Sequence, residues 1–322
     1  MRIEQLWDEI LSSQEISKLD SGDYLLRLLD PEATFNIFAG VDSCKSILIA
    51  IEINNRPPNI DLDILALDYF RNQRKNGSWL MALRLNNHEL MPVFGRLCQD
   101  LIDASVTMPS QTALMKLFID RLNLWKKLFQ NSTKGLLQKH EIKGLIAELI
   151  AVESLLKSSE YPAMTTIMGW LGPQKADQDF IFKDLAVEIK AVDPSSTKVS
   201  ISSIEQLNFI LPIELWIYVL RESNIDEEKS INLLNQVLKI EKILNPDPKA
   251  LDIFKTKLLQ AGYVENEFYE SICFKVIDDM RYSVSEDFPK LKRELVPSGI
   301  LEATYTLSLS AISNFRTQHG YK

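Results

Sequence analysis

The stretch that decides the fold is "DFIFKDLAVEIKA", residues 179–191, in which charged residues border two short apolar runs. The runs have the length and composition of β-strands, and Lys183-Asp184 separates them. This pattern predicts a β-hairpin with a two-residue turn, although such turns usually contain glycine. The apolar neighbours of Glu188 and Lys190 are typical of a central, buried strand.

The register of the predicted hairpin brings its charged side chains to one face. With a two-residue turn, Asp179 lies directly opposite Glu188, with Cβ atoms about 4.5–5.5 Å apart. Side chains two residues apart share a face, so Lys190 joins them and Asp177 faces Lys190. Because two opposed carboxylates repel, we expect a divalent ion between Asp179 and Glu188, and Mg²⁺ or Mn²⁺ suits such oxygen ligands.

These groups suit metal-assisted hydrolysis of a phosphodiester. Lys190 is placed to orient a water molecule or to stabilise the negative charge of the transition state. The alternative is an exposed edge hairpin whose charges point to solvent. The apolar neighbours of Glu188 and Lys190 argue against it, because a buried charge needs a partner.

A predicted helix upstream carries a further acidic candidate. In "GLIAELIAV", residues 144–152, Glu148 is the only charged residue. A helix that is apolar nearly all round is buried, and a glutamate within it needs a cation or a hydrogen-bond donor. The alternative is that Glu148 shares a narrow polar stripe with Glu141 and pairs with a lysine.

The segments "GLIAEL" and "DF…LAVEIKA" resemble the motif of the PD-(D/E)XK phosphodiesterase superfamily, whose fold is restriction-endonuclease-like. The resemblance covers residues 144–207. It implies that Glu148 is the helix acid, Asp179 and Glu188 are the two strand acids, and Lys190 is the catalytic lysine. It further implies that the three acids hold Mg²⁺ or Mn²⁺.

Two accessory positions stay open within this resemblance. Asp177 competes with Asp179 as the first strand acid, and no proline directly precedes Asp179. Gln206, in "SSIEQL", resembles a polar residue that some restriction-type members place on the helix after the hairpin. Gln206 can equally be an ordinary residue of a short capped helix.

The segment "WLGPQKADQDF", residues 170–180, and the chain length resemble those of a branch described as PD-(D/E)XK motif proteins. That branch is associated with bacterial anti-phage gene clusters that encode ATPases and DNA methyltransferases. The resemblance implies a metal-dependent endonuclease of double-stranded DNA, the cleavage subunit of a restriction or anti-phage defence system. Since one site cuts one strand, a homodimer or a partner complex is expected. The alternatives are a non-catalytic scaffold or DNA-binding subunit that retains the fold, and a nuclease of repair or of RNA.

The order of predicted elements indicates an α/β protein with a mixed sheet flanked by helices. We expect an N-terminal α+β module of unknown role at residues 1–110 and a nuclease-like domain at 111–322. Ser110 is a plausible cap for the helix that opens this domain. Helical spacing predicts helices at 3–12, 90–105, 112–129 and 139–158, whereas "TTIMGWLG", residues 165–172, has the composition of a strand.

Composition excludes several classes of protein. Hydrophobic residues make up 46% and charged residues 25% of the chain, as in soluble globular proteins. The opening residues lack the apolar run of a signal peptide, and no segment has the roughly 18 apolar residues of a membrane helix. We therefore expect a cytoplasmic protein. The net charge of −8 argues against non-specific coating of nucleic acid.

One segment is basic despite the acidic total. Residues 121–144 contain six basic residues against a single acid, Glu141. The segment is either a solvated helix face or an edge that binds phosphate. The six residues are Arg121, Lys126, Lys127, Lys134, Lys139 and Lys143.

Overall fold

The chain forms two units, residues 1–136 and 137–322. The computed structural model describes residues 2–60, 62, 66–131 and 136–317, without the side chains at 124 and 127–131. Lys134 and the side chain of Lys127, both part of the predicted basic segment, lie outside this description. The helix at 111–131 belongs to the first unit, whereas the sequence pattern grouped it with the second.

The first unit is an antiparallel sheet of five strands with helices, an α+β arrangement. The sheet order is β1-β2-β3-β5-β4. Its strands are β1 Tyr24–Leu28, β2 Ile37–Asp42, β3 Ile47–Ile53, β4 Leu67–Gln73 and β5 Trp79–Leu85. Its helices are α1 Ile3–Ser12, α2 Met91–Ser105 and α3 Gln111–Asn131. The predicted cap of α3 is confirmed, since Ser110 Oγ accepts the Ala113 N–H at 3.2 Å.

The core of the first unit is built around Trp7 of α1. Its ring stacks on Phe94 of α2, with ring centroids 5.6 Å apart. Its indole N–H donates to the Leu48 carbonyl of β3 at 2.9 Å, so the buried polar atom of the ring is satisfied. Trp7 therefore ties both helices to one face of the sheet.

The second unit is a five-stranded mixed sheet with helices packed against it. Its order is β10-β11-β9-β7-β6, and a separate pair joins β12 to β8. The strands are β6 Phe180–Ile181, β7 Ala186–Val192, β8 Lys198–Ile201, β9 Ile213–Ser223, β10 Ile231–Asn232, β11 Cys273–Ser283 and β12 Tyr305–Ser308. The helices are α4 Lys139–Ser158, α5 Ala163–Gly169, α6 Leu233–Leu244 and α7 Pro248–Gln260.

The α/β class with a mixed, restriction-endonuclease-like sheet is thus confirmed. β7 and β9 run parallel, while β6 and β11 pair antiparallel with their neighbours. Both central strands are largely buried, which agrees with their nearly continuous apolar sequence. The buried side of α4 packs over β7. This packing sets a helix face directly above the strand that carries Glu188 and Lys190.

The hairpin register predicted from the sequence is confirmed. Phe180 faces Val187, and the Phe182 N–H donates to the Leu185 carbonyl at 2.8 Å, closing a two-residue turn. The turn lacks glycine and is held from outside by Tyr161. The Tyr161 ring stacks on Phe182 with centroids 4.1 Å apart, and its hydroxyl donates to Asp184 at 2.9 Å.

The strand predicted at residues 165–172 is wrong, because residues 163–169 form α5. The β-branched residues Thr165, Thr166 and Ile167 favour a strand locally. Tertiary contacts override that preference, since α5 packs on α7. Helix α5 ends where the Trp170 N–H donates to the Thr166 carbonyl at 3.2 Å.

No helix within the described ranges is both long enough and apolar enough to cross a membrane.

Candidate active site

The structure brings the four predicted site residues together beside β7. Glu148 comes from the middle of α4, and Asp179 directly precedes β6. Glu188 and Lys190 lie on β7, two residues apart and therefore on one face. A carboxylate pair, a third acid and one lysine thus meet in a largely buried place.

Asp179 is fixed at both its side chain and its main chain. Its Oδ2 accepts the backbone N–H of Ile189 at 2.7 Å, across the hairpin. Its carbonyl accepts the N–H groups of Leu171 at 2.7 Å and Gly172 at 3.1 Å. Because Ile189 lies between Glu188 and Lys190, the first bond ties Asp179 to the strand that carries both.

Lys190 links Glu188 to Gln206. Its Nζ lies 2.6 Å from Glu188 Oε1 and donates to Gln206 Oε1 at 3.1 Å. Gln206, in the short 3₁₀ helix Glu205–Leu207, also accepts the Ser202 N–H at 2.8 Å. The amide of Gln206 therefore orients the lysine, and Gln206 is part of the cluster.

Glu148 is held by a tryptophan. The indole N–H of Trp170 donates to Glu148 Oε2 at 2.7 Å. The alternative in which Glu148 pairs with a lysine on a stripe with Glu141 is wrong. Glu141 instead caps the start of α4, where its Oε2 accepts the Gln138 N–H at 2.7 Å.

Gly172 marks the point where two carboxylates approach each other. A Cβ built on Gly172 would stand 2.8 Å from Asp179 Oδ1 and closer still to Glu148 Oε2. Both distances are below any normal contact of a carbon atom. The absence of a side chain at Gly172 therefore leaves the room that these two oxygens occupy.

The three acids are in an environment that favours their protonated forms. Burial raises the pKa of Asp179 to about 6. The hydrogen bond from the Ile189 N–H and the charge of Lys190 lower this pKa and offset part of the rise. Burial also raises the pKa of Glu188 well above its usual range, and the charge of Asp179 raises it further. Burial and the charge of Asp179 also raise the pKa of Glu148, whereas the hydrogen bond from Trp170 lowers it. Three carboxyl groups share one lysine, so the site has more acidic groups than the cation can neutralise, and protonation is favoured.

Asp177 lies apart from this cluster. Its side chain is exposed, whereas the neighbouring Gln178 is buried and donates to the Glu205 carbonyl at 2.7 Å. The geometry thus favours Asp179 over Asp177 as the first acid.

The basic segment is divided between the two units. Arg121 is buried and pairs with Asp100 at 3.1 Å in the first unit. In the second unit Lys139 pairs with Glu222 and Lys143 with Asp193, each at 2.6 Å. Ion pairs thus account for three of the six basic residues.

Comparison with known families matches these observations. A family model described as "Putative PD-(D/E)XK family member, (DUF4420)" matches residues 3–310. The chain belongs to this PD-(D/E)XK family. No curated protein and no solved structure is detectably similar to it. Members of the PD-(D/E)XK superfamily are generally nucleases and typically use divalent metal ions.

Three residues of this PD-(D/E)XK site were missed in the sequence. Trp170 and Gly172 stand before the hairpin in the segment "WLGPQKADQDF", which contributed to the family resemblance but gave neither residue a role in the site. Tyr305 of β12 is far away in the chain. Burial raises the pKa of Tyr305, and the nearby charge of Glu188 raises it further. The turn-prone "GP" at 172–173 was the one available signal.

The donor set of the site fits the divalent ion that the PD-(D/E)XK family implies. In the described residues no three acidic, histidine or cysteine side chains stand ready to hold an ion together. Glu188 Oε1 is occupied by Lys190, whereas Glu188 Oε2 is buried and has no hydrogen-bond partner among the described residues. Carboxylate oxygens are the ligands that Mg²⁺ and Mn²⁺ prefer. An ion shared by all three acids would need a change of side-chain conformation.

Proposed function

We propose that the protein is a cytoplasmic, metal-dependent DNA endonuclease that hydrolyses phosphodiester bonds. The observation that carries this proposal is the meeting of Glu148, Asp179 and Glu188 with Lys190 in one buried cluster. Membership of the PD-(D/E)XK family supports the same reaction class. The cluster joins oxygen donors to a single fixed cation, which is the chemistry that phosphodiester hydrolysis requires.

Each residue of the cluster has a role in this proposal. Glu148, Asp179 and Glu188 would hold Mg²⁺ or Mn²⁺, which supplies charge stabilisation to a phosphoryl oxygen. Lys190 orients the attacking water and stabilises the negative charge that develops on the phosphate. Gln206 keeps the Lys190 ammonium in place, because its Oε1 accepts from Nζ at 3.1 Å.

The biological setting is part of the proposal and rests on the resemblance of the sequence. We place the endonuclease as the cleavage subunit of a restriction or anti-phage defence system that acts on double-stranded DNA. ATPase and methyltransferase subunits are the proposed partners. A homodimer would supply the second site needed to cut both strands.

Cleavage of supercoiled plasmid with Mg²⁺ or Mn²⁺ tests the activity and the identity of the first acid together. We expect Asp179→Asn to lower the cleavage rate about 10²-fold or more, because it removes a ligand charge next to the reacting phosphate. Asp177→Asn is the matched control, two residues away and exposed, and should cleave like the wild type. Loss of cleavage in Asp177→Asn alone would move the first acid to Asp177.

The scaffold alternative has its own result in this experiment. If the wild type cleaves neither DNA nor RNA, even with the ATPase and methyltransferase present, the protein is a non-catalytic subunit. Cleavage of RNA alone would keep the site and change the substrate.

Gly172→Ala tests whether the space between Glu148 and Asp179 is needed for metal binding. We expect the Mn²⁺ concentration that half-saturates the rise in melting temperature to increase about tenfold or more. The added methyl group would displace Glu148 Oε2 and Asp179 Oδ1. Gly144→Ala, one turn before Glu148 on α4, is the control, because a Cβ there meets nothing within 4 Å. Equal Mn²⁺ responses in both variants would contradict the assignment.

A further inference from the structure

Residues 168–172, here called the brace, pass beside two of the three carboxylates. Within the brace Trp170 is completely buried, and its indole N–H donates to Glu148 Oε2 at 2.7 Å. A buried carboxylate with such a donor is restricted in rotation as well as in protonation. The contact therefore decides where Glu148 can place its oxygens.

The main chain of the brace holds Asp179 as well. The N–H groups of Leu171 and Gly172 both donate to the Asp179 carbonyl, at 2.7 Å and 3.1 Å. Trp170 also forms an antiparallel bridge with Phe180, the residue after Asp179. A single five-residue segment thus contacts two acids that stand 31 positions apart in the sequence, at 148 and 179.

A buried lysine locks the brace from the other side. Lys257 of α7 is 4% exposed, and its Nζ donates to the Met168 carbonyl at 3.0 Å and to the Trp170 carbonyl. These carbonyls belong to the end of α5, where a cation also meets the negative end of the helix dipole. The Trp170 ring in turn lies against Phe254 of α7, with centroids 5.8 Å apart.

We propose that the brace, locked by Lys257, is a positioning device for the candidate metal centre. Trp170 sets the orientation of Glu148, the amides of Leu171 and Gly172 set Asp179, and Lys257 fixes the carbonyls between them. None of these groups touches the reacting atoms, so they are positioning residues. The inference rests on the proposed function, since it concerns the acids that would hold the ion.

The hydrogen bond of Trp170 can be observed directly by NMR of the indole N–H groups. The chain has five tryptophans, so the spectrum is small, and the loss of one peak in Trp170→Phe assigns Trp170. We expect that peak to move in Glu148→Gln, in Lys257→Met and on addition of Mg²⁺ to the wild type. A role in packing alone would leave the peak in place when Mg²⁺ is added.

Mn²⁺ titrations of the melting temperature provide the second readout. Partners that orient metal ligands typically contribute 10–100-fold to metal affinity. We therefore expect Trp170→Phe to raise the half-saturating Mn²⁺ concentration about tenfold or more. Trp216→Phe is the matched control, because Trp216 is also buried and donates to a glutamate, Glu214, at 2.7 Å. Trp216→Phe should keep the wild-type Mn²⁺ response.

The outcomes separate the brace from the proposed function. A wild type that responds to Mn²⁺, with Trp170→Phe responding equally, overturns the positioning role alone. An indole peak that stays in place in Glu148→Gln overturns it too. If Trp170→Phe does not fold, replacing the other four tryptophans one at a time assigns the Trp170 peak by elimination. A wild type that responds to neither Mn²⁺ nor Mg²⁺ overturns the proposed metal centre, and with it the purpose assigned to the brace.

Discussion

Replacing Lys190 by alanine is expected to slow single-turnover cleavage of plasmid DNA about 10²–10³-fold at saturating Mg²⁺. The Lys190 ammonium is the one cation that contacts Glu188, at 2.6 Å, among the ion pairs of the described residues. It is also held by Gln206 and is largely buried, so its charge is preorganised and poorly screened. A preorganised charge contributes mainly to the transition state, so the rate should fall far more than DNA affinity does.

Lys183→Ala is the control for this experiment. Lys183 lies in the turn of the same hairpin and is exposed. Its removal changes the net charge by the same amount without touching Glu188. We expect wild-type cleavage rates at saturating enzyme. If Lys190→Ala cleaves as fast as Lys183→Ala, the lysine has no part in the chemistry and the scaffold alternative gains support.

Glu188→Gln is expected to raise the melting temperature of the metal-free protein at pH 8 while it removes cleavage. Glu188 Oε2 is buried and has no hydrogen-bond partner in the described part of the chain. An unsatisfied buried group costs about 1–3 kcal/mol, and more when it is charged. A glutamine keeps an oxygen for Lys190 and places an N–H₂ group near the other carboxylates. Roughly 2 kcal/mol corresponds to about 4–8 °C for a unit of this size.

The pH dependence of this effect follows from the raised pKa values. The folded pKa of Asp179 is about 6, above its ordinary value of 3.8, and burial raises the pKa values of Glu148 and Glu188 well above theirs. The folded protein therefore binds more protons than the unfolded chain in this range. Its free energy of unfolding falls as pH rises from about 4 through 6 and beyond. The advantage of Glu188→Gln should accordingly shrink toward pH 4.

Melting curves in a chelator at several pH values test this prediction. Glu227→Gln is the control, because Glu227 has a lowered pKa through its bonds to Lys275 and Arg221. That substitution should give no rise in melting temperature at pH 8. Saturating Mn²⁺ should reverse the order, with the wild type gaining more than Glu188→Gln. Equal melting temperatures of the wild type and Glu188→Gln at pH 8 would show that the site is not strained by charge.

The centre of the second unit could be predicted from the sequence because its information is local. The hairpin is encoded within 13 residues by two short apolar runs bordered by charged residues, and its register fixes which side chains share a face. Glu148 could be found because a single charge in an apolar helix is conspicuous. In the first unit, the sequence did not predict the edge strands β1 and β4, because these strands are partly exposed and carry a weak apolar pattern.

The supports of the site could not be predicted in the same way. Trp170 and Tyr305 come close to the acids only through tertiary packing. Lys257 reaches the Met168 and Trp170 carbonyls in the same way, and no local periodicity records these contacts. The error at α5 has the same origin, because contacts with α7 override the β-branched composition of residues 165–167. The sequence around Lys257 is typical of a helix whose lysines are exposed, yet Lys257 is only 4% exposed.

The turn at Lys183-Asp184 decides whether the hairpin would fold in another protein. Neither residue adopts the positive φ that isolated two-residue hairpins use. The turn is instead stabilised by Tyr161, through the stacking on Phe182 and the hydrogen bond to Asp184. The hairpin is therefore not expected to keep this geometry without Tyr161. A protein engineer who wished to graft this centre onto another scaffold would have to carry the helix and the tyrosine in front of it as well.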